Sequence, residues 1–173
     1  MSHFTISDVT IAIPSYGRPH NLFTADQFSH ELLKRTSVVV LEGQYGAYIG
    51  GDAKRLGARI CILPHDTPLG PAPARQWILS TAITPVVIFM DDDLTFFRRD
   101  NDLHLHNASQ QDVDDMVLEI LKWIPEYAMV GVSMRVFNNH KKEPFLPSQK
   151  LNGCWAVHIP SFKKLGVRID PWP

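Results

Sequence analysis

The sequence is poor in cysteine, since its 173 residues include only Cys61 and Cys154. Two cysteines are too few for a disulfide scaffold or a cysteine-based zinc site. No apolar run approaches the ~20 residues that cross a bilayer, and Met1–Phe4 lacks the basic and apolar pattern of a secretory signal. These absences predict a cytoplasmic protein without a membrane anchor.

An excess of charge of one sign is also absent. Lysine and arginine number 17 and aspartate and glutamate 18, so the net charge is −1. No global basic field draws the protein onto nucleic acid, although a local basic patch is compatible with this balance. The length and an apolar share of 45% predict one globular domain with a sizeable core.

Short apolar runs alternate with helical patterns along the chain. We predict strands at Val9–Ile13, Val38–Leu41, Ile60–Leu63, Val86–Met90, Met129–Val136 and Cys154–Ile159. We predict helices from Pro19 to Leu33, over Ala47–Leu56 and Ala74–Ala82, from Ser109 to Ile124 and over Ser161–Leu165, with a loop over Asn138–Lys150. This alternation indicates an α/β fold with a mainly parallel sheet flanked by helices.

The ends of the first four strands carry the residues of greatest chemical interest. In parallel sheets of this type, ligands bind outside the carboxyl ends of the strands. We therefore expect Pro14–Tyr16, Glu42–Gly43, Pro64–His65 and Asp91–Asp93 to gather at one edge of the sheet.

Three consecutive aspartates, Asp91, Asp92 and Asp93, follow the fourth strand directly. Adjacent carboxylates repel one another unless a cation or basic groups compensate. In an extended turn Asp91 and Asp93 can point the same way and Asp92 the other way. Such a pair suits a hard divalent cation that takes its other ligands from water and phosphate. The alternative interpretation is a solvated acidic turn.

Other residues near these strand ends have the chemistry to bind a phosphorylated ligand. Arg75 lies at the start of a helix, where free backbone N–H groups and the guanidinium can both bind phosphate. Tyr16 can lie against a base or sugar, Arg18 can reach a phosphate, and Glu42 can accept hydrogen bonds from a nucleobase or ribose. Each of these residues, taken alone, is also compatible with packing or a solvated surface.

Three histidines receive a structural interpretation. His104 and His106 alternate like metal ligands, but we interpret them as part of an exposed extended segment. His158 lies in an apolar strand and is interpreted as a core residue. Arg98 and Arg99 can neutralise either a phosphate or the nearby aspartates.

Four segments, in chain order, resemble a GT-A glycosyltransferase, closest to the large inverting family 2. They are Ile11–Arg18, Gly70–Gln76, Ile88–Asp93 and Asn152–Val157. They resemble, in turn, the nucleotide-binding turn, the stretch whose arginine holds the nucleotide, the DXD motif and the acceptor-side strand. Gln76 departs from the asparagine of that family.

The resemblance implies roles for individual residues. Pro14, Ser15, Tyr16, Arg18, Glu42, Arg75, Asp91 and Asp92 would bind the donor, a nucleotide sugar for which UDP is the favoured nucleotide. Asp93, together with Asp91, would hold Mn²⁺ or Mg²⁺ on the diphosphate. The enzyme would transfer a hexose or pentose to an acceptor hydroxyl.

The resemblance also implies a division of the chain. We expect a single domain over residues 1–173, with a nucleotide-binding half at 1–93 and the start of an acceptor-side half at 94–173. Family members carry a catalytic acid beyond the acceptor-side strand. Asp170 is the candidate base, and we expect the chain to be truncated before the usual position of this base.

A narrower resemblance concerns the acceptor. Gly70–Trp77 followed by Asp91–Leu94 looks like phage glycosyltransferases that modify hydroxymethylated pyrimidines in DNA. This implies DNA as acceptor and a host cytoplasmic location, whereas a saccharide or small molecule is the alternative acceptor. A basic loop is either a phosphate-binding surface or a solvated loop; it contains Arg135, His140, Lys141, Lys142 and Lys150.

Two other functions remain as alternatives. A nucleotidyltransferase also joins a parallel sheet to metal-binding carboxylates, but no glycine-rich phosphate loop follows the first strand. A non-catalytic nucleotide-binding module is the second alternative.

Overall fold

The computed structural model describes residues 4–102, 104–133, 145, 147 and 150–169. Its strands are β1 (Val9–Pro14), β2 (Thr36–Leu41), β3 (Arg59–Leu63), β4 (Val86–Met90), β5 (Phe97–Arg99), β6 (Leu105–Asn107), β7 (Met129–Gly131) and β8 (Cys154–His158). Its helices are α1 (Phe23–Asp26), α2 (His30–Lys34), α3 (Tyr45–Ile49), α4 (Asp52–Leu56), α5 (Pro71–Thr81), α6 (Gln110–Trp123) and α7 (Ile159–Leu165).

Six strands form one sheet in the order β3-β2-β1-β4-β8-β7. The four strands from β3 to β4 are parallel, whereas β8 runs antiparallel to β4 and β7 antiparallel to β8. This arrangement confirms the predicted α/β fold with a mainly parallel sheet flanked by helices. It also brings the carboxyl ends of β1 to β4 to one edge.

Successive side chains of the central strands enter two separate cores. Ile11 of β1 and Ile88 of β4 pack on the face covered by α6, which contributes residues such as Val117. Ala12 and Phe89 lie on the opposite face. Since both faces are buried, these strands need apolar residues at every position, which explains the continuous runs in the sequence.

The helix predicted from Pro19 to Leu33 is wrong as a single element. It is divided into α1 and α2, because the Ser29 side chain caps α2 by accepting a hydrogen bond from the Leu32 N–H.

The helix predicted over Ala47–Leu56 is also divided, into α3 and α4. At Gly51 an added Cβ would lie 2.1 Å from the Pro19 carbonyl oxygen, and the Asp52 N–H donates to that oxygen at 2.7 Å. The break therefore allows the chain to contact the turn that follows β1.

Two other helices begin earlier than predicted. Pro71 and Pro73 lie in the first turn of α5, where backbone N–H groups have no partner within the helix. Likewise, α7 begins at Ile159 with Pro160 in its first turn.

The helix predicted from Ser109 is confirmed in α6. Ser109 and Asp112 form the reciprocal capping box that their spacing predicts.

The second half of the chain differs more from expectation. Strand β7 ends at Gly131, and residues 134–136 of the strand predicted to Val136 lie outside the described residues; β8 ends at His158. Most of the loop predicted over Asn138–Lys150 lies outside the described residues. The hairpin of β5 and β6 was not predicted. Within the described part of the chain, no helix has the length and apolar character needed to cross a membrane.

Candidate functional site

The carboxyl ends of the parallel strands border two adjoining clefts. The first has a volume of about 500 Å³, and its walls include Pro14, Ser15 and Tyr16 after β1 and the loop before α5. The second has a volume of about 490 Å³ and is bordered by Glu42 and His65. The residues that follow β1, β2 and β3 therefore lie at one edge, as expected.

Tyr16 leaves most of its ring available at the first cleft. It is 69% exposed, and Leu69 on the opposing loop is 77% exposed. The rest of the cleft is mainly apolar, with walls that include Val39 and Leu63. An exposed aromatic ring beside an apolar cleft can accommodate a flat heterocycle.

The acidic turn is linked to this cleft by Ser15, which lines the cleft and donates to Asp92, and its main chain is held by hydrogen bonds. The Asp91 N–H donates to the Gly153 carbonyl at 2.9 Å. The Thr24 hydroxyl donates to the Asp91 carbonyl at 2.6 Å and accepts from the Leu94 N–H at 2.8 Å. The turn is thereby joined both to the residue before β8 and to α1.

Asp91 forms an ion pair with Arg75 of α5. Arg75 Nη2 donates to Asp91 Oδ1 at 2.8 Å, and the guanidinium lies 5.8 Å from the centroid of the Trp155 ring. Burial raises the pKa of Asp91, while Arg75 acts in the opposite direction. The side chain remains 43% exposed, so its second oxygen can contact a ligand.

Asp92 and Asp93 share a second arginine. Arg18 Nη1 donates to Asp92 Oδ1 at 2.8 Å and to Asp93 Oδ2 at 2.7 Å. Asp92 is buried, and Ser15 Oγ donates to its Oδ2 at 2.5 Å. Asp93 is 51% exposed. Thus Asp92 joins the turn to the protein interior, whereas both neighbouring carboxylates face the edge.

The carboxylates of Asp91 and Asp93 have the chemistry needed to bind a divalent cation. Carboxylate oxygens are hard ligands, and magnesium sites commonly combine one or two carboxylates with water and substrate phosphate. Within the described part of the chain, no group of three or more histidine, cysteine, aspartate or glutamate side chains is arranged to hold a metal.

Sequence reasoning missed Tyr48 and Thr24. Tyr48 is fully buried in α3, and its hydroxyl lies 2.7 Å from Ser15 Oγ and accepts from the Arg18 N–H at 3.0 Å. Nothing local in the sequence identifies either hydroxyl, because each partner is distant along the chain.

The histidines have structural partners. His106 Nε2 lies 2.9 Å and His104 Nδ1 3.7 Å from Asp100 Oδ2 on the exposed hairpin. His158 Nδ1 lies 2.8 Å from Ser161 Oγ, and burial lowers the pKa of His158. Arg98 pairs with an acid of α6.

Several predicted residues lie outside the described part of the chain. They are Asp170, Arg135, His140, Lys141 and Lys142. Lys150 is described and exposed. The described chain reaches Ile169, whose N–H donates to Gln76 Oε1 at 2.8 Å. Gln76 therefore fixes the segment that leads to Asp170.

The fold is that of GT-A glycosyltransferases. A mannosyltransferase, PcManGT from Pyrobaculum calidifontis in complex with GDP-Man and Mn²⁺, is 16% identical with a TM-score of 0.57, covering 92% of this chain and 46% of that one. Glucosyl-3-phosphoglycerate synthase from Mycobacterium tuberculosis, in complex with Mn²⁺, UDP-glucose and phosphoglyceric acid, is 15% identical with a TM-score of 0.54, covering 92% and 62%.

TarS 1–349 from S. aureus, in complex with UDP-GlcNAc, is 16% identical with a TM-score of 0.51, covering 92% of this chain and 48% of that one. The chain thus spans about half to two thirds of the length of these three structures. No match is found among curated protein sequences. The sequence matches the TET-associated glycosyltransferase family over residues 9–161, and the chain belongs to that family.

Proposed function

We propose that the protein is a metal-dependent glycosyltransferase that transfers a sugar from a nucleotide-sugar donor to an acceptor hydroxyl. The observation that carries this proposal is the pairing of Asp91 with Arg75 and of Asp93 with Arg18 beside the first cleft. Two half-exposed carboxylates and two guanidinium groups can bind a cation and a diphosphate together. Family membership supports the same function.

In this proposal the donor nucleoside occupies the clefts. Its base lies against Tyr16 in the first cleft, with Pro14 and Ser15 in the wall. Glu42, at the second cleft, accepts hydrogen bonds from the base or ribose. UDP is the favoured nucleotide, and GDP is the principal alternative to test.

The diphosphate binds at the acidic turn. Asp93 and Asp91 would hold Mn²⁺ or Mg²⁺, which would stabilise the charge that develops on the diphosphate as it leaves. The solved complexes of the mannosyltransferase and the phosphoglycerate synthase contain Mn²⁺. Arg75 and Arg18 exchange part of their contact with the carboxylates for contact with phosphate oxygens.

The acceptor hydroxyl must lose a proton during transfer. We assign this role to a carboxylate, with Asp170 as the candidate in this chain. Support comes from Gln76, which binds the neighbouring Ile169 main chain and directly follows Arg75 in α5. Gln76 would thereby link the position of the base to that of the donor phosphates.

The proposed acceptor is hydroxymethylated pyrimidine in DNA. The resemblance of Gly70–Trp77 and Asp91–Leu94 to phage DNA-modifying enzymes supports this choice. The exposed cation Lys150, in the proposed acceptor-side half, adds positive charge that can attract a DNA backbone.

Mass spectrometry of reaction products tests this function. The protein is incubated with Mn²⁺, UDP- and GDP-sugars and DNA containing hydroxymethylcytosine, with cytosine DNA as the control. We expect a hexose or pentose mass added only to the hydroxymethylated DNA. Donor binding without a product on any acceptor would instead indicate a nucleotide-binding module, and a nucleotide added from a nucleoside triphosphate would indicate a nucleotidyltransferase.

A further inference from the structure

A chain of buried hydroxyl groups joins α3 to the acidic turn. Tyr48 is 0% exposed and Ser15 is 7% exposed. The Tyr48 hydroxyl lies 2.7 Å from Ser15 Oγ, and Ser15 Oγ lies 2.5 Å from Asp92 Oδ2. The Arg18 N–H lies 3.0 Å from the same Tyr48 hydroxyl. One tyrosine therefore contacts both the turn after β1 and the serine that holds Asp92.

The Asp92 carboxylate, at the end of this series of hydrogen bonds, determines which group donates in each bond. The Ser15 hydroxyl donates its hydrogen bond to the Asp92 carboxylate, whose oxygens are acceptors. Ser15 then accepts from the Tyr48 hydroxyl, whose oxygen in turn accepts from the Arg18 N–H. All the donors point toward Asp92, and hydrogen bonds aligned in this way strengthen one another in a buried setting.

The geometry points to Tyr48 as a positioning residue for the diphosphate and cation site. Arg18 is held at its main chain by Tyr48 and at its guanidinium by Asp92 and Asp93. The Tyr48 hydroxyl thereby determines how Arg18 is divided between a buried carboxylate and an exposed one. This inference rests on the proposed function, because it assigns Tyr48 a role at that site.

Loss of the Tyr48 hydroxyl has a specific consequence. Ser15 loses the donor that orients it toward Asp92, and the Arg18 N–H loses the acceptor found for it among the described residues. Arg18, which contacts both Asp92 and Asp93, can then leave Asp92 and bind Asp93 alone, where it would compete with the cation. We expect nucleotide binding in the presence of Mn²⁺ to weaken by about tenfold, near the upper end of the effect of one hydrogen bond between neutral groups.

Tyr48→Phe tests this role, with Thr36→Val as the matched control. Thr36 is 1% exposed, and its hydroxyl donates to the Leu32 carbonyl at 2.8 Å, at the opposite end of β2 from the clefts. Both substitutions remove one buried hydroxyl and preserve the shape of the side chain. Two quantities are measured in each protein: hydrogen exchange of the Arg18 amide by NMR, and the dissociation constant for UDP or GDP across a Mn²⁺ titration.

A second experiment asks whether Tyr48 and Ser15 act as one unit. If they do, Tyr48→Phe combined with Ser15→Ala weakens binding no more than the larger single effect, whereas independent effects would add. If Tyr48→Phe does not fold, the same two measurements are made on Ser15→Ala, because this substitution removes the next hydrogen bond of the series, from Ser15 to Asp92.

The inference predicts faster Arg18 amide exchange and about tenfold weaker binding in Tyr48→Phe, with neither change in Thr36→Val. Unchanged Arg18 exchange, additive effects in the double variant, or equal weakening in Thr36→Val would overturn it. A wild-type protein that binds neither nucleotide with Mn²⁺ contradicts the proposed function instead. The amide exchange of Arg18 then decides alone whether Tyr48 positions this turn.

Discussion

Arg75 and Asp91 form a 2.8 Å ion pair that joins α5 to the turn after β4. The Trp155 ring also restrains this pair, because the Arg75 guanidinium lies over it. A planar guanidinium in this position can bind a carboxylate and a phosphate in a fixed geometry, which an ammonium group cannot reproduce.

Arg75→Lys should therefore weaken nucleotide diphosphate binding although the charge is retained. We expect a loss of about tenfold in affinity, measured by calorimetry with UDP and Mn²⁺. Arg98→Lys is the matched control, since Arg98 pairs with Asp112 on the surface. Equal affinities of the two variants for UDP would contradict the role assigned to Arg75.

Substitution by asparagine should lower the stability of the protein more at the buried Asp92 than at the exposed Asp93. Asp92→Asn weakens charge-assisted hydrogen bonds from Ser15 and Arg18, so we expect a loss of about 1–3 kcal/mol in the free energy of unfolding. Asp93→Asn should leave stability nearly unchanged, because its single ion pair is half exposed. Chemical denaturation at neutral pH measures both, and similar losses would refute the distinction.

Gly51 should tolerate no side chain. An added Cβ would lie 2.1 Å from the Pro19 carbonyl oxygen, so Gly51→Ala forces the turn after β1 to move. We expect a destabilisation of about 1–3 kcal/mol and weaker nucleotide binding. Gly46→Ala in α3 is the control, because its added Cβ has no atom within 4 Å apart from its chain neighbours and its own helix backbone. If Gly51→Ala unfolded at the same temperature as wild type, the result would argue against the close approach of Gly51 to the Pro19 carbonyl.

The capping box of α6 makes stability depend on pH. Hydrogen bonds from the Ser109 side chain and main chain hold the pKa of Asp112 below its usual 3.8. Because the folded pKa is the lower one, ionised Asp112 stabilises the protein above pH 3.8, and this contribution is lost as pH falls through the folded value. Asp112→Asn should therefore be less stable than wild type at neutral pH, with a difference that shrinks in acid.

Denaturant titrations at several pH values between about 3 and 7 measure this difference. Asp102→Asn, in the exposed turn between β5 and β6, is the control. A difference for Asp112→Asn that stays constant over the whole range would contradict the account of the cap.

Gln76 offers a test of the acceptor side. Gln76→Asn restores the residue of family 2 but shortens the side chain that accepts from the Ile169 N–H. We expect the transfer rate to fall while donor affinity is kept, because the contact holds the segment before Asp170 rather than the diphosphate. A steady-state comparison of kcat and donor KM separates the two effects, and a rise in KM alone would contradict this role.

The apolar pattern of the sequence was sufficient to predict the strands of the six-stranded sheet, but it did not predict the bounds of every helix. The runs at Val38–Leu41 and Val86–Met90 are apolar throughout because both faces of the sheet are covered, and this pattern is local. The break within Ala47–Leu56 depends instead on a contact between Gly51 and Pro19, which no local pattern contains. The three-residue strands β5 and β6 are too short to give a periodic signal.

The same distinction applies to the site. The placement of Asp91–Asp93 at the edge of the sheet was predictable from the apolar strand before them, and their residue types make them, with Arg75, candidates for binding a cation and phosphate. The contact of Tyr48 with Ser15 was not predictable, since the two residues lie 33 positions apart and Tyr48 resembles an ordinary core position in the sequence. The division of Arg18 between Asp92 and Asp93 likewise depends on three-dimensional structure.

Calorimetric titration of UDP and GDP, with and without Mn²⁺, tests most directly whether the acidic turn and its two arginines hold one phosphorylated ligand with its cation. The account predicts that wild-type protein binds at least one of the two nucleotides only when Mn²⁺ is present, and that Asp93→Ala abolishes this binding while remaining folded. Binding that is equally strong without Mn²⁺, or unchanged in Asp93→Ala, would contradict it.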